Sequence, residues 1–273
     1  MKKRFLILLI CALTVILPSC GETITPVIFE PYTDFNGIDT TASVQLDSGV
    51  TLDGVLDEQI WKESKTAINI PGATKDQTTK ETIDVKIFGE RSATVYTYIG
   101  ETAVYFAFDV KDKNLYFNES QAQGASTCVE LYFTNRSQTT LSRGCYSVRV
   151  NPTGKEGDEA VNIGVYIPNS NGSAWNSTYL RGKVSAAVKV DGKVKNSAND
   201  RLYTTENNKG YVMEIAIDKS LFGGDTSAIR FAAAFVQDQG FDQTRLNNTF
   251  ISGNHYLKPS TWVLMNNNGK VIE

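Results

Sequence analysis

Thr94-Val-Tyr-Thr-Tyr-Ile99, then Gly100-Glu101-Thr102, then Val104-Tyr-Phe-Ala-Phe-Asp-Val110: this stretch decides the fold class. Two runs of β-branched and aromatic residues flank a short turn that contains glycine, the pattern of a β-hairpin. The second run is apolar on both faces, which predicts a central strand buried from two sides.

The same grammar continues in both directions. Ile83, Val85 and Ile87 alternate with Asp84 and Lys86, as in a half-buried strand. Strand-like runs follow at Cys128 to Phe133, Cys145 to Val150, Ala160 to Ile167, Val184 to Val190, Tyr211 to Ile217, Ile229 to Val236 and Thr261 to Met265. Helix is confined to one turn at Asp57 to Glu63 and another at Asp218 to Phe222. The polar stretch from Asp191 to Lys209 reads as a long surface loop. No βαβ succession and no internal repeat is visible, so a parallel α/β sheet is not expected. The predicted fold is all-β: an antiparallel β-sandwich or jelly roll of about nine to eleven strands.

The N-terminal residues carry a different signal. Lys2, Lys3 and Arg4 precede a short apolar run from Phe5 to Leu17, too short to span a bilayer, which needs about 20 apolar residues. Leu17-Pro18-Ser19-Cys20 looks like a lipobox, with cleavage before Cys20 and acylation of its thiol. The expected organisation is a lipoprotein signal over 1–19, a lipidated Cys20 and tether over 20–41, and one β-sandwich domain over 42–273. Such a protein is exported and held at the bacterial membrane by acyl chains, facing the periplasm or the exterior. Net charge is −3, which argues against nucleic acid as a partner, since phosphate recognition wants a basic field.

Cys128 and Cys145 remain for the folded domain. With 128–134 and 144–151 read as a hairpin, residue 132 faces 145 and residue 128 faces 149. The cysteines then lie about four residues apart along the strands, ~13 Å at the usual rise, beyond disulfide reach. Two free thiols are expected.

Six segments in order resemble family 9 carbohydrate-binding modules and the related DOMON sandwiches. Leu52-Asp-Gly-Val-Leu-Asp-Glu-Gln-Ile-Trp61 resembles that family's opening motif. Ala103 to Asp112, Thr127 to Phe133, Tyr146 to Gly154, Lys209 to Ile217 and Ile229 to Asp238 resemble its later strands. The resemblance covers roughly 50 to 265. It implies a β-sandwich that binds an oligo- or polysaccharide without catalysis, with glycoside hydrolases or a transporter as candidate partners. It also implies structural calcium, for which Asp109, Asp112 and Asp238 at strand ends are candidate ligands. Trp61, one helical turn beyond Asp57 and Glu58, is expected to cap one end of the sandwich core.

No catalytic pattern stands out: no nucleophile elbow, zinc-binding helix or phosphate loop is present, and the chain's one histidine, His255, lies in a polar stretch. Binding is more legible. Val129, Leu131 and Phe133 should point to the core, which leaves Glu130 and Tyr132 on the other face; Ser147 and Arg149 share that face. Glu130 beside Arg149 offers acceptors and donors at fixed angles, suited to vicinal hydroxyls, though the same pair could be a plain cross-strand ion pair. In the resembling family, residues at these two positions contact sugar. That family also stacks sugar between two tryptophans, where this chain reads Ala122-Gln-Gly-Ala125 and Asn254-His-Tyr256. Tyr256, with Asn254 beside it, and Trp175 in the loop 169–178 are the substitutes. Two other readings stay open: an adhesive or structural surface protein without a sugar site, and a haem-binding sandwich using His255, Met213 or Met265.

Overall fold

A computed structural model describes residues 38, 42–64, 66–75, 82, 90–120, 123–196, 207–223, 226–238, 246–267 and 269–272, with backbone alone at 237–238 and 246–249. The expected signal over 1–19, Cys20, all of the tether but Ile38, and the run around Ile83, Val85 and Ile87 lie outside these residues.

The described residues form two antiparallel sheets. The five-stranded sheet has the order β1 (Thr66–Pro71), β2 (Ser92–Ile99), β3 (Ala103–Lys111), β9 (Gly210–Asp218), β8 (Val184–Asp191). The seven-stranded sheet runs β11 (Leu246–Phe250), β10 (Ala228–Asp238), β4 (Cys128–Asn135), β5 (Tyr146–Pro152), β6 (Val161–Pro168), β7 (Trp175–Ser177). Its last member, β12 (Val263–Asn266), pairs with Ala228–Phe231 of β10, beyond the segment taken by β11. This is the expected sandwich. The decisive hairpin is β2–β3, closed by Gly100 N donating to the Ala103 carbonyl at 2.9 Å.

Alternation builds the core. Val129, Leu131 and Phe133 of β4 and Tyr146, Val148 and Val150 of β5 are buried between the sheets, where Phe106 meets Phe231 edge to face at 5.3 Å. Fully burying a side chain of this size contributes about 1.5–3 kcal/mol, so period-two patterning alone fixes which faces meet. The short helix α1 (Gln59–Glu63) and the 3-10 turn Lys219–Phe222 fall where expected, the latter opened by Asp218 accepting from Ser220 N.

β3 is apolar on its second face because the segment 44–61 lies across it. Ile60 and Trp61 pack on Ala103, Tyr105, Ala107 and Ala216. Trp61 therefore covers the outer face of the five-stranded sheet and not one end of the intersheet core. Its Nε1 donates to Glu214 Oε1 at 2.7 Å, while Gly54 N and Asp53 N donate to Glu214 Oε2 at 2.7 and 3.0 Å. Gly54 has φ +79°, and a Cβ there would stand 2.3 Å from Lys189 N. Only glycine lets the turn come this close.

Two expectations are corrected. The stretch Asp191–Lys209 is not a simple surface loop: its described ends are anchored. Buried Asn208 accepts from Lys193 N and donates to the Lys113 and Lys193 carbonyls. Lys195 bonds through its backbone to Leu115 and Phe117. The β4–β5 register also differs by two residues: Glu130 pairs Arg149, and Tyr132 pairs Ser147. A two-residue slip preserves the faces, so the face assignment survives while the pairing changes. Cys128 and Cys145 are both free and buried, as expected.

Candidate functional site

The outer face of the seven-stranded sheet carries the candidate residues. Cross-strand partners share a face, so Glu130 and Tyr132 of β4, Arg149 and Ser147 of β5, Gly164 and Tyr166 of β6, and Ala232 and Ala234 of β10 form one surface. Glu130 and Arg149 stand directly opposite. Arg149 Nε lies 2.8 Å from Glu130 Oε1; the Arg149 side chain is 24% exposed and that of Glu130 0%. Tyr132 donates its hydroxyl to Glu130 Oε2 at 2.8 Å. The structure thus brings the predicted pair together, but it offers only the arginine to a ligand.

Arg149 is held from a second side. Its guanidinium carbon lies 4.9 Å above the centre of the Tyr166 ring, and Tyr166 donates to Gln123 Oε1 at 2.5 Å. Gln123 sits in the turn Gln123–Ala125, over Gly164, where a Cβ would fall 1.7 Å from Gln123 Oε1. Gly124 of the same turn faces Arg149, with an added Cβ 3.5 Å from Nη1. Burial on its own would lower the Arg149 pKa, but the Glu130 carboxylate more than offsets this and holds it above the ordinary arginine value. Burial, then the Glu130 charge, pushes the Tyr132 phenol far up. Both groups keep their ordinary protonation across the working pH range.

Beside this pair lies an aromatic layer made possible by the small Ala232. Tyr132 is its floor, with Trp175, Phe250, Tyr256 and Trp262 at centroid distances of 5.4, 5.9, 6.1 and 6.3 Å. Trp175 is partly buried and sits on the edge strand β7, not in a free loop as expected. Tyr256 is 39% exposed and stacks on His255 at 4.9 Å and 15°. The loop carrying them is braced: Trp262 Nε1 donates to the His255 carbonyl at 2.9 Å, and Asn254 donates its amide to the Thr261 carbonyl. Asn254 thereby serves as a brace for the loop that presents Tyr256.

For calcium, Asp112 does not fit. Asp112 is buried in an ion pair with Arg91 at 3.2 Å and accepts from Asn114 N, so a guanidinium already occupies the place a cation would take. Asp109 lies within β3 and not at its end, and the Asp238 side chain lies outside the described residues. Among the described residues, Asp53, Glu58 and Glu214 bring three carboxylate oxygens within 4.8 Å of one another, but both oxygens of Glu214 already accept N–H bonds. The haem reading finds no support either: Met213 and Met265 are fully buried, and Thr97 points its hydroxyl at the Met265 sulfur, while His255 is exposed.

Sequence reasoning missed Glu214, Gln123, Tyr166 and Gly164. Glu214 stood in a strand similar to the family pattern, yet nothing local showed that it anchors a turn 160 residues away. Gly164 was legible as an oddity in a strand, which often marks a close approach.

No protein-family model matches the sequence, and no curated protein matches it. By structure, the chain has the fold of a family 9 carbohydrate-binding module from Caldicellulosiruptor kristjanssonii, solved in complex with glucose. The TM-score is 0.50 with 16% identity, over 82% of this chain and 93% of that one. A family 9 module of the same organism in complex with cellotriose gives 0.49 and 15%, over 82% and 91%.

Proposed function

We propose, from a fold shared with family 9 carbohydrate-binding modules, that this protein binds carbohydrate without catalysis on the outer face of its seven-stranded sheet. A shared fold does not itself fix function; the local geometry supports the reading. The observation that carries it is Arg149. A buried carboxylate holds its Nε edge and an aromatic ring supports its face, so the guanidinium is fixed on the sheet face that also carries Tyr132, on which exposed Tyr256 packs. A fixed guanidinium on the same surface as an exposed aromatic face matches a sugar, which offers hydroxyls at its edge and C–H groups on its face. Arg149 and Tyr256 are the proposed contacts, with Glu130 as the holder of Arg149 and Asn254 as the brace of the Tyr256 loop.

A glycan array screened with the 42–273 fragment tests this. Retention of a defined oligosaccharide by wild type, lost in Arg149→Ala, is the expected result. A blank array would favour the adhesive reading, in which the Glu130–Arg149 pair only joins two strands.

The basic run, apolar run and cysteine at the N-terminus support a further part of the proposal: an exported lipoprotein anchored through Cys20, acting beside glycan-degrading enzymes or a transporter. Cys20→Ser should move the protein out of the membrane fraction. Wild type that is soluble and unacylated by mass spectrometry would reject the anchor.

A further inference from the structure

The chain has three tryptophans, and two of their indole N–H groups are committed. Trp61 donates to Glu214 and Trp262 to the His255 carbonyl. The Trp175 Nε1 is buried and has no partner among the described residues. Ser147 Oγ, on a fully buried residue, is a second such group. Both border Tyr132: Ser147 is its cross-strand partner, and the Trp175 ring packs on its ring at 5.4 Å. Ser147 is also the cross-strand partner of Tyr166, the ring beneath Arg149.

Native proteins leave few buried polar groups unpaired, and each that remains calls for an explanation, a bound molecule being one. Here two border Tyr132, whose hydroxyl bonds the carboxylate that holds Arg149. The indole ring packs on Tyr132 at a tilt of 55°, which commits part of its surface to that ring. Trp175 is partly exposed although its Nε1 is covered, so contact with a ligand requires a rotation that turns the N–H outward. The backbone that carries it is a short edge strand, since β7 has three residues and lies beside β6.

We infer that Trp175 serves the sugar site as an edge-on hydrogen-bond donor, with Ser147 Oγ as its companion, and does not stack on the ligand. This rests on the sugar-binding reading above and deepens it: Tyr256 supplies the stacking face, Arg149 the charged donors, and Trp175 a neutral donor for one ring hydroxyl. The ligand class that fits is an uncharged sugar presenting a hydroxyl edge to the sheet and a flat face to the loop.

Nitrogen-15 spectra of the full chain test the assignment, because its three indole N–H signals can be told apart by Trp175→Phe and Trp262→Phe. Glucose and cellotriose are the probes. The expected result is a saturable shift of the Trp175 indole signal with that of Trp61 unmoved. Trp175→Phe and Ser147→Ala should each weaken affinity about two- to tenfold, the worth of one neutral hydrogen bond, and Ser147→Ala should not lower the unfolding temperature. If backbone signals report binding while the Trp175 indole stays still and both variants bind as wild type, this inference is overturned and the site reading stands. If neither probe moves any signal, the reading for these sugars fails and the inference falls with it.

Discussion

Glu130 and Arg149 are 2.8 Å apart, and only Arg149 reaches solvent. The pair is thus asymmetric: the acid orients and the base presents. Breaking such a pair from the exposed side leaves a buried carboxylate with Tyr132 as its remaining named partner, which costs more than the pair contributes.

Arg149→Ala should weaken sugar binding by about 1.5–3 kcal/mol, a loss of tenfold or more, and should lower the unfolding temperature as well. Arg149→Lys should not restore binding, since an ammonium cannot reproduce the planar fork. Calorimetric titration beside thermal unfolding separates the two effects. Wild-type affinity in Arg149→Ala would remove the central contact of the site.

Tyr256→Ala should show the opposite balance. The ring is exposed on a loop braced by the backbone of His255 and by Asn254, so its loss should reduce affinity while moving the unfolding temperature by little. A large fall in stability would mean that the packing of Tyr256 on Tyr132 and Phe250 holds the fold and is not there for a ligand.

Trp61→Ala should unfold the domain or nearly so, at about 3–5 kcal/mol, because it empties the outer layer and removes a donor from buried Glu214. Trp61→Phe should recover most of the packing but not the hydrogen bond. Urea titrations that rank wild type above Phe above Ala would confirm both contributions.

Glu214 sets a pH dependence of a stated sign. Burial raises its pKa above the ordinary glutamate value of 4.5, opposed by bonds from Trp61, Asp53 and Gly54. The native state then binds its proton more tightly than the unfolded chain does, so this group's contribution is fully present below 4.5 and is lost as pH rises through the raised value. Glu214→Gln should flatten that part of the stability profile. An identical profile in the variant, measured by urea unfolding across pH 4 to 7 (roughly the range of a shifted carboxyl), would falsify the assignment.

Asn208→Ala should cost about 1–3 kcal/mol, since it strands backbone groups of Lys113 and Lys193. Excising the stretch around it should destabilise further, because its ends are bonded and not merely joined by closure entropy. Unchanged urea unfolding in Asn208→Ala would return the stretch to a simple loop.

The sequence by itself determined the sandwich, the faces of β4 and β5 and the helix at Trp61. These follow from local rules: period-two alternation assigns each side chain to a face, and glycine or Asp at a turn marks where a strand stops. It also put Glu130 and Arg149 on one face, since a face needs only parity. Tertiary structure alone decided that they stand opposite each other, because register depends on how the partner strands and the connecting loop pack, and two slips with the same parity look alike in sequence. It alone decided that Glu130 is sealed from solvent, that Gln123 lies over Gly164, and that Trp175 leans on Tyr132 with its N–H unpaired. Each of these depends on residues far apart in the chain meeting at atomic distances, and no periodicity encodes which distant side chain will cover a given spot.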